Sequence, residues 1–190
     1  MQVVDPCPRY VEVVVRRSGH QGVLKPLAVI LGMMVLFAYG TVGLISQDPL
    51  WFLSTATVPD PRRIVIRVDG EETLLVASAP GYDSLVQATR EGLSAFKSWG
   101  LGSMGLSAST LAEFQNQGIV LELYFAQPVD FHLPFNDGNP TALLIPIEGR
   151  YGGEGHVFRG KYGRWWAGQL TMKNPQPIMD ALSALGYIQP

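Results

Sequence analysis

Cysteine is almost missing from this chain: Cys7 stands alone among 190 residues, which excludes an internal disulfide and a cysteine-rich zinc site. On the reducing side of a membrane it reads as an inert thiol. Charge is sparse as well, at 16% of residues with a formal net charge of −2, so there is no polybasic footprint and no nucleic-acid partner is expected. Like-charge runs, internal repeats and low-complexity tracts are lacking, which sets aside disordered, collagen-like and coiled-coil classes. The sequence also lacks a Gly-x-Ser-x-Gly elbow, a phosphate loop, a His-Glu-x-x-His pair, a calcium loop and a haem-attachment motif, and no cofactor is expected. Gly152-Gly153-Glu154-Gly155 is followed by neither a lysine nor a helix pattern and reads as a hairpin tip.

What the sequence does hold is one long apolar run. Residues 27–45 carry no charge, with Lys25 and Pro26 before them and Gln47 and Asp48 after. As a helix these nineteen residues extend roughly 28 Å, close to the thickness of a bilayer's hydrocarbon core. A buried core helix of this length would normally show a polar face, so a span through the lipid bilayer is the better reading. Arg9, Arg16, Arg17 and Lys25 precede the run, whereas the next basic residues after it are Arg62 and Arg63. The positive-inside rule then predicts a cytoplasmic N-terminus at the cell membrane and an extracytoplasmic C-terminal domain, with Trp51 and Phe52 at the outer interface. A cleaved signal peptide competes, because residues 27–37 have the length of its apolar region and Ala38-Tyr39-Gly40 loosely fits a cleavage site. The apolar run continues through residues 41–45, which favours retention as an anchor. No cysteine follows the run, which excludes lipoprotein processing, and Ser18-Gly19-His20 after Arg16-Arg17 does not suit a twin-arginine signal.

The chain therefore divides into a cytoplasmic tail (1–25) with a short extended run at residues 10–15, a transmembrane helix (26–47), a linker (48–61) and an extracytoplasmic domain (62–190). Residues 64–68 and 73–77 alternate around Asp69-Gly70 as a hairpin. Asp83 is placed to cap a helix reaching about Trp99, with Leu85, Ala88, Thr89, Gly92, Leu93 and Phe96 on one stripe. A Gly-rich connection at 100–105 leads to a helix over 109–117, stopped by Gly118. Residues 119–126 read as a half-buried strand with Ile119, Leu121, Leu123 and Phe125 inward and Glu122 and Tyr124 outward. Residues 143–147 read as a central strand ending near Pro146, residues 156–160 and 164–170 as a second hairpin, and 175–185 as a last helix. Hairpins around helices, without a strand-helix-strand rhythm, predict an α+β domain with a mainly antiparallel sheet and about three helices.

Two segments carry the candidate chemistry. Asp130-Phe131-His132 and Glu154-Gly155-His156 each set a carboxylate two residues before an imidazole, a spacing that puts both on one face of extended chain. Should the segments neighbour each other, Asp130, His132, Glu154 and His156 would form either a metal site or an acid/base pair. The opposing expectation for Asp130 and His132 is plain solvation, since they lie between Pro128 and Pro134. Trp165-Trp166 suggests a contact surface: Trp166 would enter the core with Leu170, leaving Trp165 outward as an interaction anchor or covered by a helix. The expected function is binding of a protein partner in or at the membrane, as an accessory or assembly subunit of a membrane complex. An envelope enzyme of hydrolase type, using the His and carboxylate residues, is the alternative, and a ligand sensor is a third reading that the short tail does not favour.

Overall fold

The computed structural model describes residues 21–52, 56–100 and 106–188. Residues 1–20 of the expected tail, with Cys7 and the extended run at 10–15, lie outside the described residues, as do residues 101–105 of the glycine-rich connection. The chain divides into two units, residues 1–41 and residues 42–190. Helix α1 (Gln21–Ser46) contains Pro26 and begins ahead of the apolar run. Its stretch Leu24–Ser46 is long and apolar enough to cross a membrane, and none of its most apolar window is buried among the described residues. Length and composition of this kind suit a membrane anchor and a signal sequence alike.

The second unit contains β1 (Pro61–Val68), β2 (Glu71–Leu75), α2 (Tyr82–Gly92), β3 (Phe96–Trp99), α3 (Ala108–Asn116), β4 (Ile119–Phe125), β5 (Ala142–Pro146), β6 (His156–Lys161), β7 (Arg164–Met172) and α4 (Gln176–Ala184). The strands form one seven-stranded sheet in the order β2-β1-β4-β5-β6-β7-β3 among the described residues, and every pairing is antiparallel. The α+β expectation is borne out. Both tight hairpins turn on two residues of positive φ, Asp69-Gly70 at 48° and 91° and Tyr162-Gly163 at 52° and 75°. That left-handed pair matches the twist of antiparallel strands. β2 closes one edge of the sheet, with Glu71, Glu72, Thr73 and Leu74 exposed.

Both faces of the sheet are covered. On the first, Leu85 and Val86 of α2 and Ile178 and Leu182 of α4 pack with Ile64, Ile66, Leu121, Leu123, Leu143, Ile145 and Leu170. Gly92 permits the two helices to approach, since a Cβ there would come within 3.0 Å of the Ile178 side chain. On the second face, Phe114 of α3 packs with Val120, Leu144 and Phe158. β5 is accordingly buried along its whole length, as its apolar sequence predicts.

Three local expectations are corrected. The helix expected through Trp99 stops at Gly92, and residues 96–99 instead pair with the free edge of β7. Helical spacing in the sequence is outweighed there by a strand edge that needs a partner. Asp83 lies in the first turn of α2, while Gly81 takes the cap position at φ 84° with no side-chain cap bond. β4 is buried on both faces, because Glu122, only 3% exposed, is covered by an ion-pair partner and a hydrogen-bond donor. Arg67 Nε donates to Glu122 Oε1 at 2.9 Å and the Tyr124 hydroxyl donates to Oε2 at 2.6 Å. Burial, followed by the bond to Glu122, pushes the Tyr124 phenol well above its ordinary value. Replacing Glu122 by alanine would leave two polar groups unsatisfied. The expected loss is about 2–3 kcal/mol in chemical denaturation, with Glu122→Gln costing less because it retains an acceptor.

Candidate functional site

The connection between β4 and β5 is long, and its alternation decides what it presents. Val129, Phe131 and Leu133 are buried in the main core, and the Phe131 ring meets Phe96 edge-on at 5.3 Å. Asp130 and His132, one residue out of step, face the other way. His132 adopts a left-handed φ of 48°. The backbone of Asp130 is bridged to Thr57, with N–H to O distances of 2.8 and 3.3 Å, so part of the stretch expected as a linker is held against the domain.

A third side chain joins them from far away in sequence. The chain leaves α1 through Gln47 at φ 59°, which turns Asp48 toward His132. His132 Nδ1 lies 2.8 Å from Asp48 Oδ2 and 3.4 Å from Asp130 Oδ1. Asp48 Oδ1 accepts from the Leu50 amide at 2.7 Å, and Asp130 Oδ1 accepts from the His132 amide at 3.0 Å. The His132 and Asp48 side chains are 11% and 16% exposed, sheltered enough for these bonds to escape full solvent screening.

Two cavities flank this clasp. One, of about 120 Å³, is lined mainly by polar residues that include Asp48, Asp130, Asn136 and Asp137. The other, of about 270 Å³, is apolar and lies between Trp51, Phe52, Phe96, Phe131 and the His132 ring. Burial pushes the Asp137 carboxyl up, opposed by the Asn139 amide and by Arg159. Burial in turn pushes the Arg159 guanidinium down. Arg159 props this part of the connection, with Nη1 3.4 Å from the Asp137 carbonyl and the guanidinium 5.5 Å from the Phe135 ring centre.

The donor atoms of Asp48, Asp130 and His132 all lie within 4.8 Å of one another. One imidazole nitrogen and two carboxylate oxygens suit zinc, whose tetrahedral donors stand about 3.4 Å apart, or manganese, which takes such donors octahedrally. With no ion bound, the same atoms form a hydrogen-bonded clasp. Among the described residues no other group of three metal-capable side chains occurs. Comparisons of the chain with protein-family models, curated proteins and solved structures find no match.

The remaining candidates fall elsewhere. His156 Nε2 lies 2.7 Å from Glu154 Oε2, and its Nδ1 lies 3.4 Å from the Thr171 hydroxyl. This buried ring, 6.0 Å from that of Tyr151, shares no partner with His132, so the four residues paired in the sequence form two separate dyads. Trp165 is half-buried against the Phe114, Val120, Leu144 and Phe158 cluster. Its ring also lies over Gly160, where a Cβ would come within 2.5 Å of it. Trp166 is half-buried against Gly138. Trp51 and Phe52 meet edge-on at 6.3 Å just beyond α1, and Phe52 is 56% exposed. Asp48 is the residue that sequence reasoning missed. Its only signal was its place at the end of the apolar run.

The clasp predicts energetic coupling between residues 84 positions apart. In a double-mutant cycle of His132→Ala and Asp48→Ala, followed by chemical denaturation, the coupling is expected at about 1–2 kcal/mol. Strictly additive losses would mean that the pair contributes nothing as a pair.

Proposed function

We propose that this is a single-pass membrane protein, N-terminus in the cytoplasm, whose α+β domain lies outside and binds a protein partner as an accessory or assembly subunit of a membrane complex. The observation that carries this reading is the apolar stretch Leu24–Ser46, whose most apolar window finds no cover among the described residues and needs another apolar medium. The basic residues Arg9, Arg16, Arg17 and Lys25 ahead of it supply the orientation. Anchoring benefits a binding module directly, since confinement near a membrane partner raises effective concentration without any new contact. The half-buried Trp165 is the candidate contact residue on the domain.

The reading is tested on natively expressed protein carrying a C-terminal tag. The tag is expected to be accessible to externally added protease in spheroplasts. Mild-detergent purification is expected to return an intact chain with stoichiometric companions. Trp165→Ala, which also loses packing against Phe114 and Phe158 and so melts lower, is expected to weaken their retention at a temperature where the variant is still folded. A chain cleaved near Thr41 and recovered alone from the soluble fraction would overturn the reading.

A second reading, an envelope enzyme of hydrolase type, is favoured by one observation: the nitrogen and oxygen donors of Asp48, Asp130 and His132 converge beside the polar cavity. Elemental analysis decides it. Stoichiometric zinc or manganese lost in His132→Ala would support the enzyme, whereas metal-free protein would leave the three residues as a structural clasp.

A further inference from the structure

Charge on the folded domain is segregated along the strands. From Asp48 onward the chain has 10 basic and 14 acidic residues. Yet Arg62 and Arg63 at the start of β1, Lys161 at the end of β6 and Arg164 at the start of β7 gather at one end of the sheet. The pairing Pro61↔Phe125, Tyr124↔Ala142 and Ala142↔Gly160 places these strand ends side by side. None of the four cations has a carboxylate within ion-pair distance among the described residues. Asp60, just before β1, is engaged with Arg90, and Asp130 in the His132 clasp. Asp69, Glu71, Glu148 and Glu154 belong to the turns at the opposite end.

The basic end holds an open cleft of about 700 Å³ between Arg62, Arg63, Tyr124, Thr141 and Tyr162. Arg63 stacks on the Tyr124 ring at 4.1 Å, and Lys161 lies 5.5 Å from the ring of Tyr162, which is 89% exposed at the hairpin tip. Thr141 lines this cleft, and Asn139, two residues earlier, lines the cavity that Asp48 shares.

We infer that this end of the sheet docks on the bilayer itself, taking the phosphate groups of anionic lipids at Arg62 and Arg63 in the cleft and at Lys161 and Arg164 on the strand ends beside it, with Tyr162 at the water–lipid boundary. The inference rests on the anchor reading above, since Asp48 then lies at the membrane surface and its bond to His132 holds the domain there. Unpaired cations within about a Debye length of 8–10 Å of a negative surface are drawn to it. Tyr162, exposed in the cleft, is an amphipathic residue suited to that boundary. An acidic protein would match the cations but would not call for this neighbour.

The test uses the full chain in nanodiscs of phosphatidylcholine, with or without phosphatidylglycerol, and reads amide hydrogen exchange. In the anionic discs the amides of the 161–164 turn and of residues 62–63 are expected to exchange about tenfold more slowly than in the neutral ones. The combined variant Arg62→Gln, Arg63→Gln, Lys161→Gln, Arg164→Gln should abolish the difference while the amides of β5 keep their protection, which shows the fold intact. Equal exchange in both discs, or a difference that survives the variant, overturns the inference. So does loss of a co-purifying acidic protein in the variant without any dependence on lipid charge, which would assign the cleft to a protein. Failure of the chain to float with the discs at all would overturn the anchor reading instead, and this inference with it.

Discussion

A sheet whose central strand is apolar on both sides must be covered on both sides, and most of the architecture answers that requirement. Leu143 and Ile145 of β5 face one layer while Leu144 faces the other. α2 and α4 cover only part of the first face. The connection before β5 completes it by sinking Val129, Phe131 and Leu133 into the core. Because side chains alternate in extended chain, the same demand turns Asp130 and His132 outward. The polar site is thus a geometrical consequence of how the apolar core is closed. On the second face α3 is too short to cover β1 and β4, and the buried Glu122 with Arg67 and Tyr124 fills the remaining area.

Much of this order was legible in the sequence because period and turn chemistry are local. Asp69-Gly70 and Tyr162-Gly163 announce hairpins, and the apolar run at 143–147 announces a strand buried on both sides. What could not be read was set by partners distant along the chain. Residues 96–99 fit a helical stripe, yet β7 offered them an unpaired edge. Glu122 has the pattern of a solvent-facing residue until Arg67, fifty-five positions away, neutralises it. The i, i+2 dyads were recognisable one by one. Their separation, and the capture of His132 by Asp48, depend on a loop path that no spacing rule encodes.

Each feature near the exit of α1 restricts how the domain can move relative to its own connecting chain. The Thr57 bridge and the Asp48 bond shorten what would otherwise be a free tether of residues 48–61. A shorter tether narrows the orientations that a folded domain samples, and so favours contacts that repeat in one geometry. In the docking inferred above, the cations at one end of the sheet are of use only under such a restriction, since a freely tumbling domain with more acids than bases presents its mean charge to a distant surface.

The edge strand β2 has a consequence for crowding. An unpaired strand edge is a template on which a neighbouring copy can extend the sheet, and copies confined to a plane meet edge to edge far more often than in solution. β2 spans only Glu71–Leu75, and its exposed residues begin with two adjacent glutamates. A second copy in parallel register would set the glutamates against their own counterparts, and in antiparallel register would set them against Leu74 and Leu75, either way desolvating charge against little backbone pairing in return. On the anchor reading proposed above, copies crowded at a membrane would therefore gain little by joining through this edge.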